Sequence, residues 1–225
     1  MKLAWDILWL ATYPCLAKPL LGMSVKGRRR LGRGGQILAS NHVSNIDPLI
    51  VGWAAAREVH FLAKRELFEA SRWFALLIRS LNAHPVRRGL ADRAALEHCS
   101  ELLCHDQTLV LFPEGTRSRT GELARFRPGV GMLAIRNRVP VVPTRITGMD
   151  RSWFSYQVDF DFRRRGWRKK PKGRVPIRVS FGEPVRPEGF ADSREGFGAL
   201  AAEVEARVRG LGAGAEPRAK CATQA

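Results

Sequence analysis

Short apolar runs of strand length recur along this chain of 225 residues, and stretches with helical periodicity separate them. Gln36-Ile37-Leu38-Ala39-Ser40 reads as a buried strand, because a continuous apolar run of about five residues fits a strand covered on both faces. Asp47-Pro48 then reads as a helix start, with Asp as N-cap, Pro in the first turn and the helix running to about Arg57. The pattern repeats. Strands are expected at residues 59–63, 82–86, 107–112, 139–146 and 174–181. Helices are expected at residues 66–80, 91–104, 130–137 and 198–211. Such alternation predicts a single α/β domain with a mixed, partly parallel sheet flanked by helices. No internal repeat or second domain boundary is visible.

In sheets of this kind, sites collect where loops leave the carboxyl ends of strands. Two polar motifs fall at such points. Asn41-His42-Val43-Ser44-Asn45-Ile46-Asp47 follows the first strand. Across a strand-to-helix turn, Asp47 can reach back to His42, fixing its tautomer and leaving the other ring nitrogen to take a proton from a hydroxyl. No serine or cysteine sits in a nucleophile-elbow context, so direct attack by a substrate hydroxyl is the more economical chemistry. Alone, this pair could equally be structural. The second motif, Phe112-Pro113-Glu114-Gly115-Thr116-Arg117-Ser118, ends another strand. Gly115 lets backbone N–H groups approach an anion, Arg117 suits a phosphate and Thr116 adds a hydroxyl donor. Glu114 would repel a phosphate, and is expected to bind a substrate hydroxyl or orient an arginine. Arg87, Arg88 and Arg127 are further candidates. The spacing matches neither a Walker A loop nor a dinucleotide fingerprint. No metal-ligand set is visible.

Charge says where this chemistry could occur. The chain carries 38 Lys and Arg against 21 Asp and Glu, a formal +17. That balance favours an anionic partner: a membrane face, a phosphorylated substrate or a nucleic acid. Residues 1–23 are mostly apolar, with Trp5, Trp9 and Tyr13 at helical spacing. The longest uncharged stretch, Ile7 to Ala17, has eleven residues, short of the about 20 that a spanning helix needs. A segment lying on or dipping into a bilayer is expected, with an apolar helix packed on the domain as the alternative. A basic cluster follows from Lys26 through Arg28, Arg29 and Arg30 to Arg33. A second cluster from Arg163 to Arg174 could touch lipid headgroups. With Trp167 as a stacking residue it could also be a nucleic-acid patch, but no zinc finger, helix-turn-helix or aromatic-rich strand supports that. Cys15, Cys99, Cys104 and Cys221 have no metal spacing, so reduced thiols and a cytosolic setting are expected.

The motifs, taken in order, resemble the glycerolipid acyltransferases of the 1-acyl-sn-glycerol-3-phosphate acyltransferase family. Asn41, His42 and Asp47 match that family's Asn-His-x4-Asp block. Residues 82–88 align with its second block, with Arg88 as the block's arginine. The Phe-Pro-Glu-Gly-Thr-Arg-Ser block is intact at 112–118, and Val139-Pro140-Val141-Val142-Pro143 matches its proline-bearing strand. Where members commonly carry Phe-Lys-x-Gly, this chain has Phe126-Arg127-Pro128-Gly129.

The resemblance implies a base, His42, partnered by Asp47, that removes a proton from the sn-2 hydroxyl of a lysophospholipid acceptor. Arg88, Glu114, Gly115, Thr116, Arg117 and Arg127 are the implied substrate-binding residues. The co-substrate would be acyl-CoA or acyl-carrier protein, with no cofactor, no metal and no nucleic acid. The setting would be an anionic membrane surface, the cytoplasmic face of a bacterial cell membrane, with peripheral or monotopic attachment. The implied organisation is a membrane-associating segment at 1–26, an acyltransferase domain at 27–211 and a flexible tail at 212–225. The alternatives are an acyltransferase for another lysolipid such as lyso-ornithine lipid, a hydrolase in which His42 activates water, and a non-catalytic basic membrane or nucleic-acid binding protein.

Overall fold

The computed structural model describes residue 6 and residues 22–86, 93–167, 170, 171, 173 and 175–213. Among these, seven strands form one sheet: β1 (Ser24–Lys26), β2 (Gln36–Ser40), β3 (His60–Lys64), β4 (Ala83–Val86), β5 (Thr108–Leu111), β6 (Val141–Thr147) and β7 (Arg178–Phe181). Their order is β1-β7-β6-β2-β5-β3-β4, and every pairing is parallel except the antiparallel β6–β7. The sheet is mixed and largely parallel, as expected. The reason is visible in β2, whose five residues are all buried. A strand covered on both faces needs helices above and below.

The helices are α1 (Asp47–Ala55), α2 (Arg65–Glu69), α3 (Arg72–Ser80), α4 (Arg93–Cys104), α5 (Gly129–Asn137), α6 (Trp153–Val158), α7 (Phe160–Arg164) and α8 (Arg194–Ala213). One face of the sheet packs Leu38, Val110, Val142 and Val179 against Ile50, Val51 and Ala54 of α1. The other packs Ile37, Leu109 and Val141 against Cys99 and Leu103 of α4, Val130 and Leu133 of α5, and Leu200 and Val204 of α8. Alternate residues of β2, β5 and β6 thus feed opposite layers. α5 and α8 approach so closely that a Cβ on Gly131 would lie 2.1 Å from the Phe197 carbonyl oxygen.

Several expectations change. The single helix over residues 66–80 is two, because Ser71 is extended and starts α3 afresh. Lys26, read as the start of a basic cluster, lies with Val25 in β1, an edge strand paired with β7. Beyond them, Arg28 donates to the Ala54 carbonyl, and Arg30 to the Phe181 carbonyl and the Glu183 carboxylate. These cations are held by the domain itself. Trp167 is already stacked upon: the guanidinium carbons of Arg119 and Arg165 lie 4.1 and 5.0 Å from its centroid. Burial pushes the Cys99 thiol up to about 12, which suits an unreactive core thiol. The aromatic residues at 5, 9 and 13, Cys15, Cys221, Arg87, Arg88 and the end of the chain beyond 213 lie outside the described residues. No described helix is long and apolar enough to cross a membrane.

At the far side of the sheet three imidazoles form a chain. His60 Nδ1 lies 3.0 Å from His84 Nε2, and His84 Nδ1 lies 2.9 Å from His98 Nε2. The chain ends on Gln107 Oε1 and Glu101 Oε2.

Candidate active site

His42 leaves the carboxyl end of β2, and the strand's geometry fixes where it goes. The side-chain amide of Asn41 accepts from the Ile146 N–H at 2.7 Å and donates to its carbonyl at 3.0 Å. The side chain thereby replaces one more rung of the β2–β6 ladder, and the main chain is free to turn. His42 is 9% exposed. Its Nδ1 lies 2.9 Å from Asp47 Oδ2. The same oxygen accepts from the backbone N–H groups of Val43 and Ser44 at 2.6 and 2.7 Å. Asp47 is fully buried, so the turn and the imidazole are held by one carboxylate. An oxygen that only accepts requires the proton on Nδ1. The lone pair is therefore on Nε2, which makes no hydrogen bond to the described residues. The Phe112 ring stacks on the imidazole at 4.1 Å.

The second motif meets the first through backbone contacts. Ser118 N–H donates to the His42 carbonyl at 2.7 Å. Glu114, expected to bind substrate or orient an arginine, accepts instead from the backbone N–H of His42 at 2.8 Å and of Ala124 at 2.9 Å. Burial pushes its carboxyl up, against the pull of those two donors and of nearby His42 and Arg145. Gly115 sits at φ +75°, and Arg127 occupies the space a side chain would take: a Cβ there would lie 2.8 Å from its guanidinium carbon. Gly115, Thr116 and Arg127 are all exposed.

Arg117 is the larger correction. It is buried, and its guanidinium is held by Asp159 at 3.0 Å and by Asp161, over the Phe162 ring at 4.1 Å. Asp159 also accepts from the Asn45 N–H at 2.9 Å and from the Ser155 hydroxyl at 2.7 Å. Arg117 therefore braces the histidine loop from behind, and a free phosphate grip is not its arrangement here. Sequence reasoning missed Asp159 and Asp161, which carry no motif. Their only sequence signal is the acidic pair two residues apart next to the basic cluster at 163. The structure brings His42, Asp47, Glu114, Gly115, Thr116, Arg117 and Arg127 to one end of the sheet, and Arg88 lies outside the described residues.

A buried histidine held at Nδ1 by a carboxylate, with a glycine turn in the neighbouring motif, is an arrangement that can take a proton from a hydroxyl at Nε2. The sequence model of the family described as Acyltransferase matches residues 22–147, and the chain belongs to that family. It is similar to the 1-acyl-sn-glycerol-3-phosphate acyltransferase of Limnanthes douglasii, at 32% identity over 160 residues, 68% of this chain and 51% of that protein. The human 1-acyl-sn-glycerol-3-phosphate acyltransferase alpha gives 32% over 159 residues, 68% and 51% respectively. The chain thus spans about half the length of these curated relatives. Among solved structures, the 1-acyl-sn-glycerophosphate (LPA) acyltransferase PlsC of Thermotoga maritima superposes with a TM-score of 0.60 at 28% identity. The match covers 88% of this chain and 74% of that one.

Proposed function

We propose that this chain moves a fatty acyl group from acyl-CoA or acyl-carrier protein to the sn-2 hydroxyl of 1-acyl-sn-glycerol 3-phosphate, giving phosphatidic acid. The observation that carries the reading is the 2.9 Å contact of His42 Nδ1 with Asp47 Oδ2; a carboxylate partner calls for the proton on Nδ1 and leaves the lone pair on Nε2. Nε2 removes the hydroxyl proton as the oxygen attacks the thioester carbonyl. The tetrahedral oxyanion collapses, the C–S bond breaks, and the imidazolium returns its proton to the departing thiolate. Asp47 stabilises the imidazolium between those two events. The thioester is the co-substrate, and the reaction needs no cofactor. The family membership and the names of the relatives support the acyl transfer and the acceptor.

For the acceptor phosphate the reading uses Arg127, the Thr116 hydroxyl and Arg88 around the Gly115 turn, whose own N–H is bonded to the Phe112 carbonyl. Arg117, with Asp159 and Asp161, and Glu114 support that surface from beneath. The chain works at the cytoplasmic face of a bacterial cell membrane, attached peripherally. The support is an apolar face of α3 that no described residue covers: Trp73 is 82% exposed, Leu76 61% and Leu77 54%. Arg72 and Arg79 sit on the same helix, and apolar burial with basic attraction is how such helices hold an anionic surface.

The test is an assay of the purified chain in detergent, with a panel of lysolipids that includes lyso-ornithine lipid, and with both thioester donors. Phosphatidate formed from lysophosphatidate and lost in His42→Ala is the expected result. Transfer to no lysolipid, or thioester hydrolysis alone, overturns the reading.

A further inference from the structure

Beside His42, on the β6 side, lies a cavity of 520 Å³ whose walls include Asn41, Val43, Arg145, Arg151 and Arg209. Asn41 and Val43 flank His42 in sequence, so the cavity adjoins the segment that carries the imidazole, although His42 does not itself line it. Gly121, Gly148 and Gly212 also line it. Three guanidiniums line it against one lining carboxylate, Asp150, which lies 3.6 Å from Arg151, and Arg209 is paired at 2.9 Å with Glu205 outside the lining.

Arg145 is the unusual member. It comes from β6, with Ser180 of β7 opposite it. Its Nε and one terminal nitrogen are buried without any hydrogen-bond acceptor. Burial lowers its pKa, Arg209 lowers it further, and Glu114 and Asp150 oppose the fall. Glu114 makes no hydrogen bond to those two nitrogens, and its oxygens take the N–H groups of His42 and Ala124. A guanidinium has five N–H donors and no acceptor. Leaving such donors buried and unmade is costly. Arg145 thus has unmet donors at the wall of the cavity, and Arg151 and Arg209, each already beside one carboxylate, line the same space.

We infer that Arg145, with Arg209 and Arg151, forms a phosphate-binding subsite beside His42, separate from the Gly115–Arg127 surface. The ligand class is a phosphate ester. Under the acyl-transfer reading, on which the choice of source rests, two substrates carry one: the glycerol phosphate of the acceptor, and the phosphates of the nucleotide or pantetheine arm of the donor. Phosphate held by a guanidinium fork gains direction as well as charge. A subsite here would fix one substrate on the β6 side of the imidazole while the other enters past Gly115.

The experiment measures ligand-induced change in melting temperature for the full chain in detergent, together with steady-state kinetics. The probes are glycerol 3-phosphate for the acceptor, and coenzyme A and 3′-dephospho-coenzyme A for the donor. The proteins are wild type, Arg145→Gln, Arg145→Lys and Arg209→Gln. Loss of one charge-assisted contact is expected to weaken the matching probe about tenfold or more, with the KM of that substrate rising and kcat changing less. Arg145→Lys should restore only part of it. Loss confined to glycerol 3-phosphate assigns the acceptor, and loss confined to the coenzyme A pair assigns the donor. If Arg145→Gln and Arg209→Gln both bind every probe as wild type does, the subsite is refuted and Arg145 is only a countercharge for Glu114. Should Arg145→Gln fail to fold, Arg209→Gln decides by the same criteria. The binding arm needs no turnover: a wild type that binds a probe through Arg145 but transfers no acyl group keeps the subsite and rejects the acyl-transfer reading. An active wild type with unchanged variants does the reverse.

Discussion

The carboxylate of Glu114 accepts the backbone N–H of His42 at 2.8 Å, so the two polar motifs are joined at the residue that carries the imidazole. Its other oxygen takes the Ala124 N–H. Glu114→Gln would keep one acceptor and turn an NH₂ toward the other donor. A buried unsatisfied donor costs about 1–3 kcal/mol. We expect a lower melting temperature and a larger loss of kcat than of substrate affinity. A variant with wild-type stability and turnover would refute the clamp.

His42→Ala removes the base and leaves the Asp47 carboxylate bonded to Val43 and Ser44. The fold should survive while acyl transfer falls by about 10²- to 10⁴-fold. Circular dichroism checks the first half and single-turnover kinetics the second. Turnover near wild type would remove His42 from the mechanism.

Arg117 and Asp159 make a buried pair with the carboxylate fully enclosed. Breaking such a pair from one side strands a charge, at about 3–5 kcal/mol. Arg117→Ala should therefore destabilise the chain and lower kcat, and the double variant Arg117→Ala/Asp159→Asn should recover part of the stability. A variant that raises only the KM for lysophosphatidate at unchanged melting temperature would instead put Arg117 on the substrate.

Acid should loosen the β3–β4 edge. Burial, then the proximity of His98 and His60, pushes the His84 imidazole down to about 4 from its ordinary 6.5. Burial also lowers His60, against the help of Gln107 and Glu58. Between those pH values the unfolded chain binds more protons than the folded one. Stability contributed by His84 is thus complete above about 6.5, lost as pH falls toward 4, and constant below that. Urea midpoints taken from pH 7.5 to 4.5 should fall less steeply in His84→Gln than in wild type. Identical slopes would show that the chain of imidazoles does not carry the effect.

Gly131→Ala should be among the most damaging small substitutions. Its Cβ would meet the Phe197 carbonyl oxygen at 2.1 Å, and backbone cannot rotate away as a side chain can. Forced overpacking of about 1–3 kcal/mol is expected, read as a lower urea midpoint at unchanged slope. No change in midpoint would mean that α5 and α8 separate freely.

Much of this arrangement was legible beforehand because its elements are self-contained. The β2, β5 and β6 runs announce their burial by continuous apolar composition, and His42 and Asp47 meet within one turn. What escaped depends on partners far along the chain. β1 has three residues in a basic stretch, and only its pairing with β7 makes it a strand. The residues of α6 and α7 are too few to show a period. The break at Ser71 leaves the apolar spacing of residues 66–80 unaltered, so periodicity alone runs straight through it. Glu114 and Arg117 were found by motif, yet their roles turn on Ala124, Asp159 and Asp161. No local spacing connects them to those residues.

The Asn41 side chain is bonded to Ile146, 105 positions later. During synthesis on a ribosome, the imidazole is therefore made long before the strand that squares off its base. A chain halted short of Ile146 has His42 and its Asp47 partner, but lacks the Asn41–Ile146 bonds that set where the turn leaves the sheet. Such a fragment would be chemically mute, so the appearance of activity in a growing or refolding chain is a clock for the moment β6 enters the sheet.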